Sequence, residues 1–135
     1  MDDTKQSSEL EGLLIEDGDQ AIDSMLRRVL APYVGFTRAG KMITKAPFLE
    51  LGDSARLLVA LLARQAAARL ALPGAAPEAD AEALHAECQV PLKSCREYLS
   101  RFKQRRLLEK NETGYFVPTW AMASVAEVVP SKPSE

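Results

Sequence analysis

Between Gly52 and Pro73 the chain sets Leu57, Leu58, Val59, Leu61, Leu62 and Leu70 at positions that point in several directions around one helix axis. Arg56, Arg64, Gln65 and Arg69 are scattered among them. Asp53 or Ser54 caps this helix, and Pro73-Gly74 stops it after about Leu72. A surface helix carries one apolar stripe, whereas a helix that is apolar all round has to be covered on more than one side. The N-terminal helix or a second copy of the protein are the two sources of that cover. Arg64 and Gln65 interrupt the most apolar run, Leu57 to Ala68, so it falls short of the roughly 20 apolar residues of a bilayer span.

Cover has to come from a chain of 135 residues, enough for one core and too few for two ordinary ones. The hydrophobic share is mostly Leu and Ala, both strong helix formers, which argues against an all-β sandwich. Apolar residues Ile22, Met25, Leu26, Val29 and Leu30 recur at helical spacing from a cap at Asp19 until Pro32. Residues 33–37 and 41–45 read as two extended pieces around a Gly-containing turn, or as a plain loop, and Pro47 to Gly52 closes that section. After an Ala/Pro/Gly linker, Pro73 to Pro77, come a short helix from about Ala79 to Cys88 and a turn at Gln89-Val90-Pro91. A longer helix follows from Leu92 to about Arg105. Leu107 to Lys110 and Tyr115 to Val117 read as strands around a turn at Asn111 to Gly114. Thr119 to Val129 forms a last helix with Trp120, Met122, Val125, Ala126 and Val129 on its apolar side, stopped by Pro130. The expected organisation is an acidic mobile tail (1–18), one domain (19–130) and a short tail (131–135).

The net charge of −2 conceals a segregation. Residues 1 to 20 hold seven carboxylates against Lys5, a local charge of −6, while residues 91 to 110 hold seven cations against Glu97 and Glu109, a local charge of +5. The sign of the parts, not of the whole, marks a surface that meets an anion; the bland alternative is a solvated helix face. The acidic amino terminus lacks the basic and then apolar pattern of a secretory signal, so a cytoplasmic address without membrane association is expected. Cys88 and Cys95 are too few for a disulfide scaffold and lack the spacing of a structural zinc site.

On a wheel of 100° per residue, Leu92, Cys95, Tyr98, Leu99 and Phe102 share one arc of about 120°. The other side carries Lys93, Ser94, Arg96, Glu97, Ser100, Arg101, Gln104 and Arg105. A helix of this kind, held by a short preceding helix and followed by a hairpin, is built to present its early residues to a major groove.

Here the chain resembles the winged helix-turn-helix family, in particular MarR-like DNA-binding regulators, over residues 54–118. The matching residues are Leu84 in the second helix, Val90 in the turn, Cys95, Leu99 and Phe102 in the recognition helix, Leu107-Leu108 entering the hairpin and Tyr115-Phe116-Val117 leaving it. Members usually carry a small residue in place of His85 and Gly in place of Gln89 and Arg106, the last at a helix C-terminus that often needs positive φ. The resemblance implies a mainly α fold with a small β-hairpin, a winged helix-turn-helix with extra N- and C-terminal helices. It also implies sequence-specific binding of double-stranded DNA by a transcriptional regulator, through a recognition helix at 92–105 and a wing at 109–115. On it, Lys93, Ser94, Arg96 and Glu97 face base edges, Arg101, Lys103 and Arg105 lie along phosphates, and Lys110, Asn111 and Thr113 sit at or near the wing. Arg forks to guanine, Ser adapts to several edges, and cations neutralise phosphates with release of counterions.

A homodimer is expected from the all-apolar helix and the amphipathic terminal helices. The rival class is a winged-helix protein–protein interaction module inside a larger nucleic-acid-processing or defence assembly. No enzyme and no cofactor are indicated. His85 is the sole histidine and is expected to pack between helices, Gly40-Lys41 lacks the phosphate-loop frame, and the acidic pairs of the tail have no rigid support. His85, Cys88 and Cys95 approaching across the turn would make a metal or thiol sensor, a third reading against which the core position of Cys95 weighs. Tyr98 is expected to be partly buried and Trp120 to anchor the last helix.

Overall fold

A computed structural model describes residues 18–129; the tail at 131–135 and all but the last residue of segment 1–18 lie outside them. The described residues open with α1 (Gly18–Leu30), which turns Leu26, Val29 and Leu30 into the core and leaves Arg27 and Arg28 exposed in its last turn. Position 19, expected to cap this helix, already lies within it.

Next comes an antiparallel hairpin of β1 (Val34–Phe36) and β2 (Met42–Thr44), with Val34 opposite Thr44 and Phe36 opposite Met42. Of the two alternatives for this section, strands rather than loop are formed. The closing stretch contains one unforeseen helical turn, α2 (Ala46–Glu50), which Pro47 starts and which buries Phe48.

The long helix α3 (Asp53–Arg69) begins after Gly52, not at an acidic or hydroxyl cap, and the seven residues from Leu57 to Ala63 are all fully buried. It ends three residues earlier than expected: Leu70 is the cap, Ala71 takes a left-handed φ of 54°, and the Leu72 N–H reaches back to the Ala67 carbonyl at 3.1 Å.

Asp80 then starts α4 (Ala81–Cys88) by accepting the Ala83 N–H at 2.8 Å, a cap that a helix beginning at Ala79 does not use. Gln89 to Pro91 turn the chain into α5 (Leu92–Gln104), whose N-cap position is Pro91. The second hairpin joins β3 (Glu109–Lys110) to β4 (Tyr115–Phe116), shorter strands than expected because Leu107, Leu108 and Val117 are buried beside the core, outside the ladder. A 3₁₀ turn (Thr119–Ala121) leads into α6 (Met122–Val128).

Helices α1, α4, α5 and α6 all pack on α3, and α6 also packs on α1. The cover that α3 requires therefore comes from its own chain. Its leucines each contribute about 1.5–3 kcal/mol by leaving water. Among the described residues no helix is long and apolar enough to cross a membrane.

Three polar side chains fix the outer elements to this core. Arg56 donates to the carbonyls of Leu49 at 2.6 Å, Leu51 at 3.0 Å and Cys88 at 3.4 Å, linking α3 to the ends of α2 and α4. Arg64 pairs with Glu87 on α4 and donates to the Glu78 carbonyl at 3.2 Å. Gln65 donates to the Val117 carbonyl at 2.6 Å, just past β4.

Candidate nucleic-acid interface

In the unit α4, turn, α5 and β3–β4, the turn holds one buried residue, Val90, between exposed Gln89 and Pro91. Gln89 adopts φ 59° and its N–H bonds the His85 carbonyl at 3.1 Å, which ends α4 in a left-handed cap. The Val90 side chain is buried, and its carbonyl lies 2.6 Å from His85 Nδ1 and 3.5 Å from the Cys95 thiol. His85 thus braces the turn from an exposed position rather than packing between the helices.

This turn sets the roll of α5. Cys95, Leu99 and Phe102 are buried, Leu92 and Tyr98 are half-buried, and the Tyr98 and Phe102 rings stack 6.1 Å apart. The opposite side follows from helical geometry: Lys93, Arg96, Glu97, Arg101, Lys103 and Arg105 are all exposed, while Ser94 is half-buried at the helix flank. Arg101 lies 5.8 Å over the Tyr98 ring. Among the described residues the ion pairs join Arg64 to Glu87 and Arg69 to Asp23, so no described carboxylate neutralises the cations of α5.

Beyond α5 the chain turns through Arg106, again left-handed at φ 62°, and the Leu107 N–H bonds the Phe102 carbonyl at 2.9 Å. In the hairpin that follows, β4 is held on both sides. Tyr115 pairs with Lys110 on one side and exchanges backbone bonds of 2.8 and 2.9 Å with Ala79 on the other. At its tip Asn111 accepts from the N–H groups of Thr113 and Gly114 and donates to Glu78 at 3.0 Å. Both ends of the Asn111 amide therefore shape the turn, whereas Lys110 and the Thr113 side chain are exposed, Lys110 Nζ lying 5.3 Å over the Tyr115 ring.

No family model, curated protein or solved structure matches this chain. Function has therefore to be read from the side chains themselves.

Both thiols are free and buried. Burial first, and then the neighbouring Glu87, pushes the Cys88 thiol up to about 12, and burial raises Cys95 as well. Neutral thiols of this kind are poor nucleophiles and poor ligands, and the described residues contain no group of three His, Cys, Asp or Glu placed to hold a metal ion.

Trp120 departs from its expected anchoring role. It is 64% exposed and, with Lys103, Arg106, Leu108, Glu109 and Lys110, lines a shallow depression of about 430 Å³ where α5 gives way to β3. The signal was present in the sequence, since a 100° wheel sets Trp120 about 180° away from the mean direction of Met122, Val125 and Val129.

Proposed function

We propose that this chain binds double-stranded DNA sequence-specifically, as a winged-helix transcriptional regulator with α5 in the major groove and β3–β4 as the wing. The observation that carries this reading is the two-sidedness of α5: Cys95, Leu99 and Phe102 inward, and on the remaining surface four exposed cations, with a fifth, Arg105, at its cap, none paired with a described carboxylate. A helix braced at both ends and cationic on its open side suits a groove that admits one helix between two phosphate walls.

On this reading Lys93, Ser94, Arg96 and Glu97, in the first turns of α5, meet base edges. Arg96 supplies the fork that recognises guanine, and Glu97 accepts from cytosine. Arg101, Lys103 and Arg105 follow the phosphates from the later turns, and Lys110 and Thr113 reach the flanking backbone from the wing. Asn111 contributes by shaping the wing.

Anisotropy titrations of a labelled duplex from low to moderate salt test this. Four phosphate contacts give a log–log slope of about −3 to −4, and the Arg96→Ala, Arg101→Ala double variant abolishes specific binding. Absence of binding at every salt concentration rejects the proposal and leaves the exposed face to a protein partner. The stoichiometry of the same titration reports whether one copy or two sit on each duplex.

A further inference from the structure

The depression lined by Trp120 shares Lys103 and Lys110 with the proposed duplex contacts, but its indole and Arg106 have no place in them. It joins a flat, exposed indole to three cations, Lys103, Arg106 and Lys110, against one carboxylate, Glu109. It is continuous with the cationic side of α5 through Lys103, in the last turn of that helix, and with the wing through Lys110. Arg106 stands there in a left-handed backbone conformation that glycine adopts freely and that an L-residue occupies under strain. A guanidinium is thus kept beside the indole at a position where the backbone alone would favour glycine. An apolar occupant has no use for three cations, and a bare phosphate has none for an indole. A nucleotide uses both, its base on the aromatic face and its phosphates on the cations.

We propose that the Trp120 depression seats an unpaired nucleobase flanking the bound duplex, so that the DNA form this protein takes is a duplex with a single-stranded extension, as at a melted or recessed junction. This rests on the duplex reading of α5, and the test separates the two. Trp120 is the sole tryptophan of the chain, so its emission reports stacking directly.

The protein is titrated with a blunt duplex, with the same duplex carrying a short oligothymidine extension on either strand, and with the oligothymidine alone. The extended duplex is expected to quench the indole and to bind about tenfold more tightly than the blunt one, within the range of one base–aromatic stack. Trp120→Ala removes that tenfold difference without changing blunt-duplex affinity, and Trp120→Phe keeps most of it. Arg106→Gly raises the melting temperature yet weakens the extended duplex more than the blunt one, a pairing that a merely structural arginine does not produce. Equal affinity for blunt and extended duplexes with unchanged emission overturns the proposal, as does a Trp120→Ala variant that weakens both equally. If neither duplex binds, the reading of α5 fails and the junction proposal falls with it, whereas binding of both duplexes with equal affinity overturns the junction proposal alone; quenching by the oligothymidine without duplex binding would leave only a single-strand seat.

Discussion

Gln65 and Val117 lie 52 residues apart, yet the Gln65 amide donates to the Val117 carbonyl at 2.6 Å and so ties the middle of α3 to the exit of the second hairpin. Val117 is fully buried, and its carbonyl takes this bond where water is scarce. Replacing Gln65 with Met keeps the bulk and removes the donor, so the expected loss is about 1–3 kcal/mol of unfolding free energy, the penalty of a buried unpaired acceptor. Urea unfolding of the two proteins measures it; a difference within error would mean that another donor reaches Val117.

Three helices, α3, α4 and α5, end in a left-handed residue that is not glycine: Ala71, Gln89 and Arg106. For Ala71 and Gln89, which lie outside the proposed DNA contacts, substitution by glycine relieves the Cβ strain and is expected to add up to about 1 kcal/mol each, after the greater freedom of glycine in the unfolded chain is counted. The two sites lie at the ends of different helices, so the gains should add in thermal unfolding of the double variant.

Gly114 makes the opposite case. A Cβ there would stand 2.6 Å from the carbonyl carbon and oxygen of Ala79, backbone atoms that are themselves bonded to Tyr115. Gly114→Ala must push the hairpin off the Ala79 segment. The expected outcome is a loss of more than about 2 kcal/mol in stability, in the range of overpacking with broken backbone bonds, read by urea unfolding. Wild-type stability would show that the hairpin edge is free to move.

The Cys88 thiol sets a limit at high pH. Its folded value of about 12 lies above the ordinary value of 9.0, so the unfolded chain releases this proton first as pH rises. Stability is therefore intact below about pH 9 and falls through the window up to about pH 12, by at most about 1.4 kcal/mol for each pH unit. Cys88→Ala should flatten that slope in unfolding curves collected across the window. At neutral pH the same burial leaves both thiols slow to react with iodoacetamide until the protein is unfolded.

Periodicity made much of this fold legible. Cys95, Leu99 and Phe102 recur at helical spacing, and the side they define left the cations of α5 on the other. The continuous apolar run of α3 announced a central helix. The end of α3 was less legible because Ala71 gives no glycine signal for its left-handed turn, whereas α4 ends at Cys88 as its spacing indicates and α5 ends one residue before Arg105. The exposure of His85 and the single turn of α2 depend on hydrogen bonds to Val90 and on the burial of Phe48, neither of which has a local pattern. At the candidate interface the cations were legible from charge alone. Asn111 was legible as part of a turn, but its bond to Glu78, 33 residues away, was not; the direction of Trp120 shows on a wheel of residues 119–129, opposite Met122, Val125 and Val129.

Ala79 and Asp80 are neighbours with separate tasks: the first bonds the hairpin through Tyr115, and the second starts α4. The peptide link between them is consequently a spacer of set length. One residue added between Ala79 and Asp80 would dephase the second hairpin from the helices while leaving every residue of both in place, and strand pairing has no half-steps with which to absorb it. A single peptide link thereby governs the alignment of the two parts proposed to straddle the double helix.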